Sequence, residues 1–221
     1  MKFHILTLFP NSFSYLDESI IKRAQKAGLI EIQIHNLRDW ATDKHGTADD
    51  RPFGGNPGML MKVEPIYKAI KDLGFYPKND PKKKVILTSA KGTIWNQELA
   101  KTHVSMFEEI LIICGHYEGV DHRVVENLID EEISIGNYVL SGGELASMIL
   151  LDSMARLIPG VLGNPNSLID ESNNVLDEAE YPQFTRPSTF KTDEGEEWPV
   201  PDVLISGNHA QIERWKSENK K

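Results

Sequence analysis

Five consecutive apolar residues, Ile110, Leu111, Ile112, Ile113 and Cys114, stand directly before Gly115. A strand with no polar face must be covered on both sides, a condition met in parallel sheets carrying helices above and below. A polar turn over 116–119 follows. A second short strand is predicted over 132–135. It ends on Gly136 and runs into Asn137-Tyr138-Val139-Leu140-Ser141-Gly142-Gly143 before a helix opens at Glu144. Two strand ends leading into glycine-bearing loops are what an open α/β sheet uses to build a ligand crevice at its carboxyl edge.

The rest of the chain fits that frame. A first strand over 3–8 ends at Phe9-Pro10, where Asn11 or Ser12 is the expected helix cap. A helix through 19–27 stops at Gly28. Apolar Ile30, Ile32 and Ile34 alternate with Glu31, Gln33 and His35, which predicts a strand over 30–37. The irregular segment 38–62 contains DDRPFGGNPGMLM, and its prolines and glycines predict a shaped binding loop. A helix over 64–73 and a basic linker over 77–84 lead to a strand over 85–88. Ser89-Ala90-Lys91-Gly92 then reads as a third strand-to-loop transition. Helices are expected over 96–103 and 144–157, and a last one over 208–217 puts Ile212 and Trp215 on one face. The acidic run 164–180 reads as a linker.

The expected fold class is therefore α/β, a mostly parallel sheet with helices on both faces, followed by a small, mainly helical C-terminal unit. Domain bounds follow as 1–163, a linker over 164–180, and 181–221. Cys114 is the only cysteine, which excludes a disulfide framework and a CxxC metal site. Its place in an apolar strand marks it as a buried residue rather than a catalytic thiol. No apolar stretch reaches the roughly 18 residues of a membrane span, and the N-terminus reads as a strand rather than a signal peptide. A cytoplasmic location with no membrane partner is expected. The net charge of −9 is uneven: residues 1–160 hold 18 Lys and Arg against 21 Asp and Glu, the remainder 6 against 12. That excludes a sequence-blind polyanion binder, and no DNA partner is expected. Any RNA contact must use local basic groups.

None of the three glycine loops matches GxGxxG or GxxxxGK[ST]. A nucleotide-like ligand held by loop backbone, without a phosphate cradle, remains. The stretches DDRPFGGNPGMLM, CGHYEGVDHRVVE, SIGNYVLSGGELASMILLDSMARLIPGVLG, YPQFTRP and VPDVLISGNHAQIERW resemble the bacterial tRNA (guanine-N1)-methyltransferases of the knotted SPOUT class. The likeness runs from residue 1 to about 216. It implies a deep C-terminal trefoil knot in the catalytic domain, a homodimer, and S-adenosylmethionine as methyl donor. By the same resemblance the donor pocket includes Leu87, Thr88 and Ser89 from the first loop. Gly115, Tyr117, Glu118 and Gly119 come from the second, and Ile135, Gly136, Tyr138, Leu140, Gly142 and Gly143 from the third. The implied substrate is guanine 37 of tRNA, just 3′ of the anticodon, and Mg2+ is a further family expectation.

Chemistry constrains the remaining residues. Guanine N1 is protonated at neutral pH, so its methylation needs a general base, and charge displaced onto O6 needs a cation or donor. The resemblance assigns the cation to Arg156, which as a helix C-terminal cation also suits the macrodipole. It assigns the base to a linker acid, Glu171 first and Asp170 second. The spacing from these acids to Thr185-Arg186-Pro187 is one residue longer than the family pattern. The usual arginine-rich continuation at the C-terminus is absent. His45, Arg51, Lys91, Arg186 and His209 are the candidate RNA contacts. Two alternatives stay open: a related methyltransferase acting at another RNA position, and a binding protein that has lost the base.

Overall fold

The computed structural model describes residues 1–163 and 181–220. The chain divides into two compact units, Met1–Pro165 and Asn166–Lys221. The strands of the first unit are β1 (Lys2–Thr7), β2 (Glu31–Asn36), the short antiparallel pair β3 (Asp49–Asp50) and β4 (Leu60–Met61), β5 (Lys83–Ile94), β6 (Glu109–Ile113) and β7 (Glu131–Ser134). Its helices are α1 (Ser19–Lys26), α2 (Val63–Asp72), α3 (Gln97–Met106), α4 (His122–Asn127) and α5 (Glu144–Ala155). Five strands form one parallel sheet in the order β2-β1-β6-β5-β7.

The apolar run before Gly115 lies at the centre of this sheet because nothing in it tolerates water. Residues Ile110 to Ile113 are all 0 % exposed. Each such side chain contributes roughly 2 kcal/mol of burial. Ile110 and Ile112 join Phe3, Ile5 and Ile86 on the face covered by α1, α3 and α5. Leu111 and Ile113 join Leu6, Val85 and Leu87 on the face covered by α2 and α4. Period-two alternation thus divides one continuous apolar run between two cores.

Local signals end most elements where they are read in the sequence. Gly28 takes φ +69° behind α1, and the Asn96 side chain caps α3 by accepting from Leu99 N at 2.9 Å. Asn11 and Ser12 do not cap: a 3-10 helix, Pro10–Asp17, already starts at Pro10, whose fixed φ suits a first helical position. Helix α4 escapes the periodicity because it has only six residues, though Asp121 caps it by accepting from Arg123 N at 3.0 Å.

The transition expected at Ser89-Ala90-Lys91-Gly92 is corrected. These residues lie within β5, as an excursion between Thr88 and Thr93, both of which pair with Ile133 of β7. A Cβ on Gly92 would meet the backbone carbonyl carbon of Glu132, so this glycine serves strand-to-strand approach rather than a ligand.

The second unit carries a hairpin that periodicity does not reveal, β8 (Thr189–Lys191) and β9 (Glu197–Pro199), turned through Gly195 at φ +88°. Two helices follow, α6 (Asp202–Ile205) and α7 (His209–Glu218), the second capped by Asn208. Ile212 and Trp215 are half-buried on one face of α7, as their spacing predicts, and Trp215 meets Phe184 at 6.3 Å between ring centroids. No described residue of this unit is fully buried. The linker expected over 164–180 lies outside the described residues.

Candidate active site

The carboxyl ends of β1, β5, β6 and β7 share one edge of the parallel sheet, and three segments gather there. Thr88 Oγ1, buried at the turn-out of β5, donates to Ile113 O at 3.2 Å and accepts from Gly115 N at 3.0 Å. Gly143 N, at the start of α5, donates to Gly115 O at 2.7 Å. A Cβ on Gly143 would overlap Thr88 Oγ1, and one on Gly115 would come 2.5 Å from Thr88 O. These glycines are required because three backbones pack on one another, which the sequence argument about ligand access does not anticipate. Gly119, at φ +122°, has open space where a Cβ would stand.

The second loop, 115–119, is held from the other side by the glycine-rich segment. Glu118 N donates to Met59 O at 3.1 Å, Met61 N to Gly119 O at 2.9 Å, and Asp121 N to Met61 O at 2.9 Å. Gly58, at φ +93°, leaves the space that the Glu118 side chain fills. DDRPFGGNPGMLM is therefore a shaped loop docked against 118–121. Tyr117 takes φ +58°, a strained value for a residue with a side chain, and its hydroxyl lies 3.5 Å from Asp49 Oδ1. In the third loop Ser134 Oγ donates to Gly136 O at 3.0 Å, and Tyr138 Oη donates to Ile135 O at 3.2 Å.

Of the expected donor-site residues, Leu87, Thr88 and Gly143 are buried, so Leu87 offers the edge only its backbone. Tyr117, Glu118, Tyr138 and Leu140 are exposed around them, and Ser89, Gly115, Gly119, Ile135, Gly136 and Gly142 are intermediate. Aromatic and aliphatic side chains around dense backbone polar groups are the donor set that a flat heterocycle with a ribose requires. The residues fit a nucleoside-bearing donor. Arg156, half-buried, is the C-terminal cap residue of α5. Asp170 and Glu171 lie outside the described residues.

Cys114 takes no chemical part. Burial pushes its thiol well above the usual range, and its sulfur lies 3.0 Å from Ser147 Oγ, which donates to Gly143 O at 2.8 Å. Among the described residues no three metal-ligating side chains gather. His45, Arg51, Lys91, Arg186 and His209 are all exposed. Thr7, His116 and Glu144 also meet at this edge, and no motif in the sequence marks them as partners.

A model of the family described as tRNA (Guanine-1)-methyltransferase TrmD matches residues 1–221. The chain belongs to that family. A tRNA (guanine-N(1)-)-methyltransferase of Clostridioides difficile (strain 630) is 48% identical over 222 residues, covering 99% of this chain and 91% of the relative. A protein of the same name from Citrifermentans bemidjiense is 52% identical over 219 residues, covering 98% and 83%. Another from Dehalococcoides mccartyi (strain ATCC BAA-2100) is 50% identical over 220 residues, covering 98% and 84%. The three loops of the sheet edge lie within the residues that match the TrmD family. Among the described residues no helix is long and apolar enough to cross a membrane.

Proposed function

We propose that this chain methylates N1 of guanine 37 in tRNA, using S-adenosylmethionine. The observation that carries the reading is the match of the whole chain to one methyltransferase family, together with three loops packed at a single sheet edge. When bound, the donor supplies an electrophilic methyl group. The second and third loops hold it, through the backbone of Gly115, Gly119, Ile135 and Gly142 and the side chains of Tyr117, Tyr138 and Leu140. The carboxylate of Glu171, or of Asp170 beside it, takes the N1 proton. Arg156 faces the charge that builds on O6, where a fixed cation stabilises the transition state more than the ground state.

Two further parts belong to this reading. The chain acts as a homodimer: Leu145 and Ile149 expose one apolar face of α5 while Leu150, Leu151 and Met154 fill the core on the other. Tyr138 and Val139 of the third loop are exposed as well, and exposed apolar groups of this kind suit a second copy. The family's deep trefoil knot and the domain bounds 1–163, 164–180 and 181–221 are kept as part of the proposal, with the second unit meeting tRNA.

The deciding assay is methyl transfer from labelled S-adenosylmethionine to two tRNA transcripts, one with guanine at position 37 and one with adenine. Label on the first alone is the expected result. Equal label on both would move the target to another position. Label on neither, with the donor still bound, would move the reading to a different substrate or a catalytically dead relative.

A further inference from the structure

Glu144 opens α5 directly behind the third loop, and it is only 8 % exposed. A carboxylate removed from water requires partners. Its Oε1 accepts from Thr7 Oγ1 at 2.8 Å; Thr7 is the last residue of β1, and its hydroxyl oxygen also accepts from Phe9 N at 2.9 Å. Its Oε2 lies 3.9 Å from His116 Nε2 in the second loop. The His116 ring stands 5.0 Å from the Phe9 ring and 5.1 Å from that of Tyr117, between centroids. His116 Nδ1 is buried with no partner among the described residues, and the ring sits between a tilted contact with Phe9, an edge contact with Tyr117 and the nearby carboxylate.

The third loop closes the arrangement. A Cβ on Gly142 would overlap Glu144 Oε2 and come 2.6 Å from His116 Nε2, and His116 pairs with Gly142 as an isolated bridge. One side chain therefore connects the end of β1, the second loop and the third. We propose that Glu144 is a positioning residue for the methyl-donor pocket, setting the spacing between loops 115–119 and 136–143. The inference rests on the reading that these loops hold S-adenosylmethionine. Glu144 acts on donor affinity and leaves tRNA binding alone.

Calorimetric binding of S-adenosylmethionine to the full chain tests this, with steady-state kinetics and melting temperatures measured alongside. Glu144→Ala is expected to weaken donor binding about tenfold, the scale of one lost hydrogen bond to a charged group. The donor KM rises with it, while kcat at saturating donor and the KM for tRNA are unchanged. Glu144→Gln, whose amide oxygen still accepts from Thr7, recovers most of the affinity. Thr7→Val weakens binding in the same direction, and Thr7→Ser restores it, which carries the test should the alanine variant not fold. Donor binding unchanged in both Glu144→Ala and Thr7→Val overturns the inference, as does a loss of kcat with donor KM unchanged. Failure of the wild-type chain to bind the donor removes the pocket reading itself, a result distinct from either.

Discussion

At the scale of single residues, the sheet edge is decided by atoms that are absent. Gly143 must lack a Cβ because Thr88 Oγ1 and the backbone of Gly115 occupy that space. Gly143→Ala is expected to cost about 1–3 kcal/mol in urea denaturation, the range for overpacking a close-packed site. Donor affinity, measured on the same samples, should fall as well. Under the proposed mechanism Arg156 belongs to the other class, a residue required for its charge. Arg156→Ala is expected to lower kcat by roughly 10²-fold with donor affinity intact, the usual loss of one group that stabilises transition-state charge. Single-turnover transfer and donor binding separate the two effects. Loss of both together would make Arg156 a structural residue. In the sequence Arg156 is singled out only by resemblance to the family, and the Thr7–Glu144 contact spans 137 residues and leaves no local pattern.

At the scale of elements, two ionisable contacts tie strands to their neighbours and predict a two-step acid response. His4 on β1 lies 3.0 Å from His35 on β2, between Nδ1 and Nε2, and its pKa is lowered to about 4. Burial is the main cause, followed by repulsion from His35 and Lys2. Stability from this site is complete above pH 6.5 and is lost as pH falls toward 4, because the unfolded chain takes up the proton first. Glu131 on β7 is held at about 2, chiefly by His103 of α3 at 3.0 Å, with Lys84 of β5 also in contact. Its contribution is complete above pH 4.5 and is lost toward pH 2. Urea midpoints measured from pH 8 to 2 should therefore fall in both windows. Glu131→Gln should flatten only the lower one, and a lower window of unchanged slope in that variant would reject the assignment. The strands of the parallel sheet are legible from alternation and apolar runs. The excursion in β5 is not, because Ser89 to Gly92 reads as a turn wherever it occurs, and only pairing of Thr88 and Thr93 with the same Ile133 makes it part of a strand.

At the scale of the whole molecule, the proposed homodimer and the acidic charge balance make opposite demands. Leu145→Glu with Ile149→Glu should convert the species seen in sedimentation to a monomer and abolish transfer, since a buried charge on each copy is repelled. A dimer that persists in this variant would place the interface elsewhere. With a net charge of −9, tRNA binding depends on a few local cations. Its affinity should fall with salt on a shallow slope, and Arg51→Ala or Lys91→Ala should each reduce the log–log slope by about 1 if that side chain meets phosphate.

Sequence alone determines the layers of this protein. A strand of Ile110 to Cys114 has no polar face, so it requires helices on both sides and a parallel sheet to hold them. Glycines after the strands mark the carboxyl edge as the place where loops approach closely. Tertiary structure decides what those loops touch. Gly115, Gly142 and Gly143 turn out to make room for Thr88, His116 and Glu144, which lie far apart along the chain. The physical reason is one of range: periodicity and turn chemistry act over a few residues, whereas a buried carboxylate takes its partners from whichever elements the sheet brings to its side.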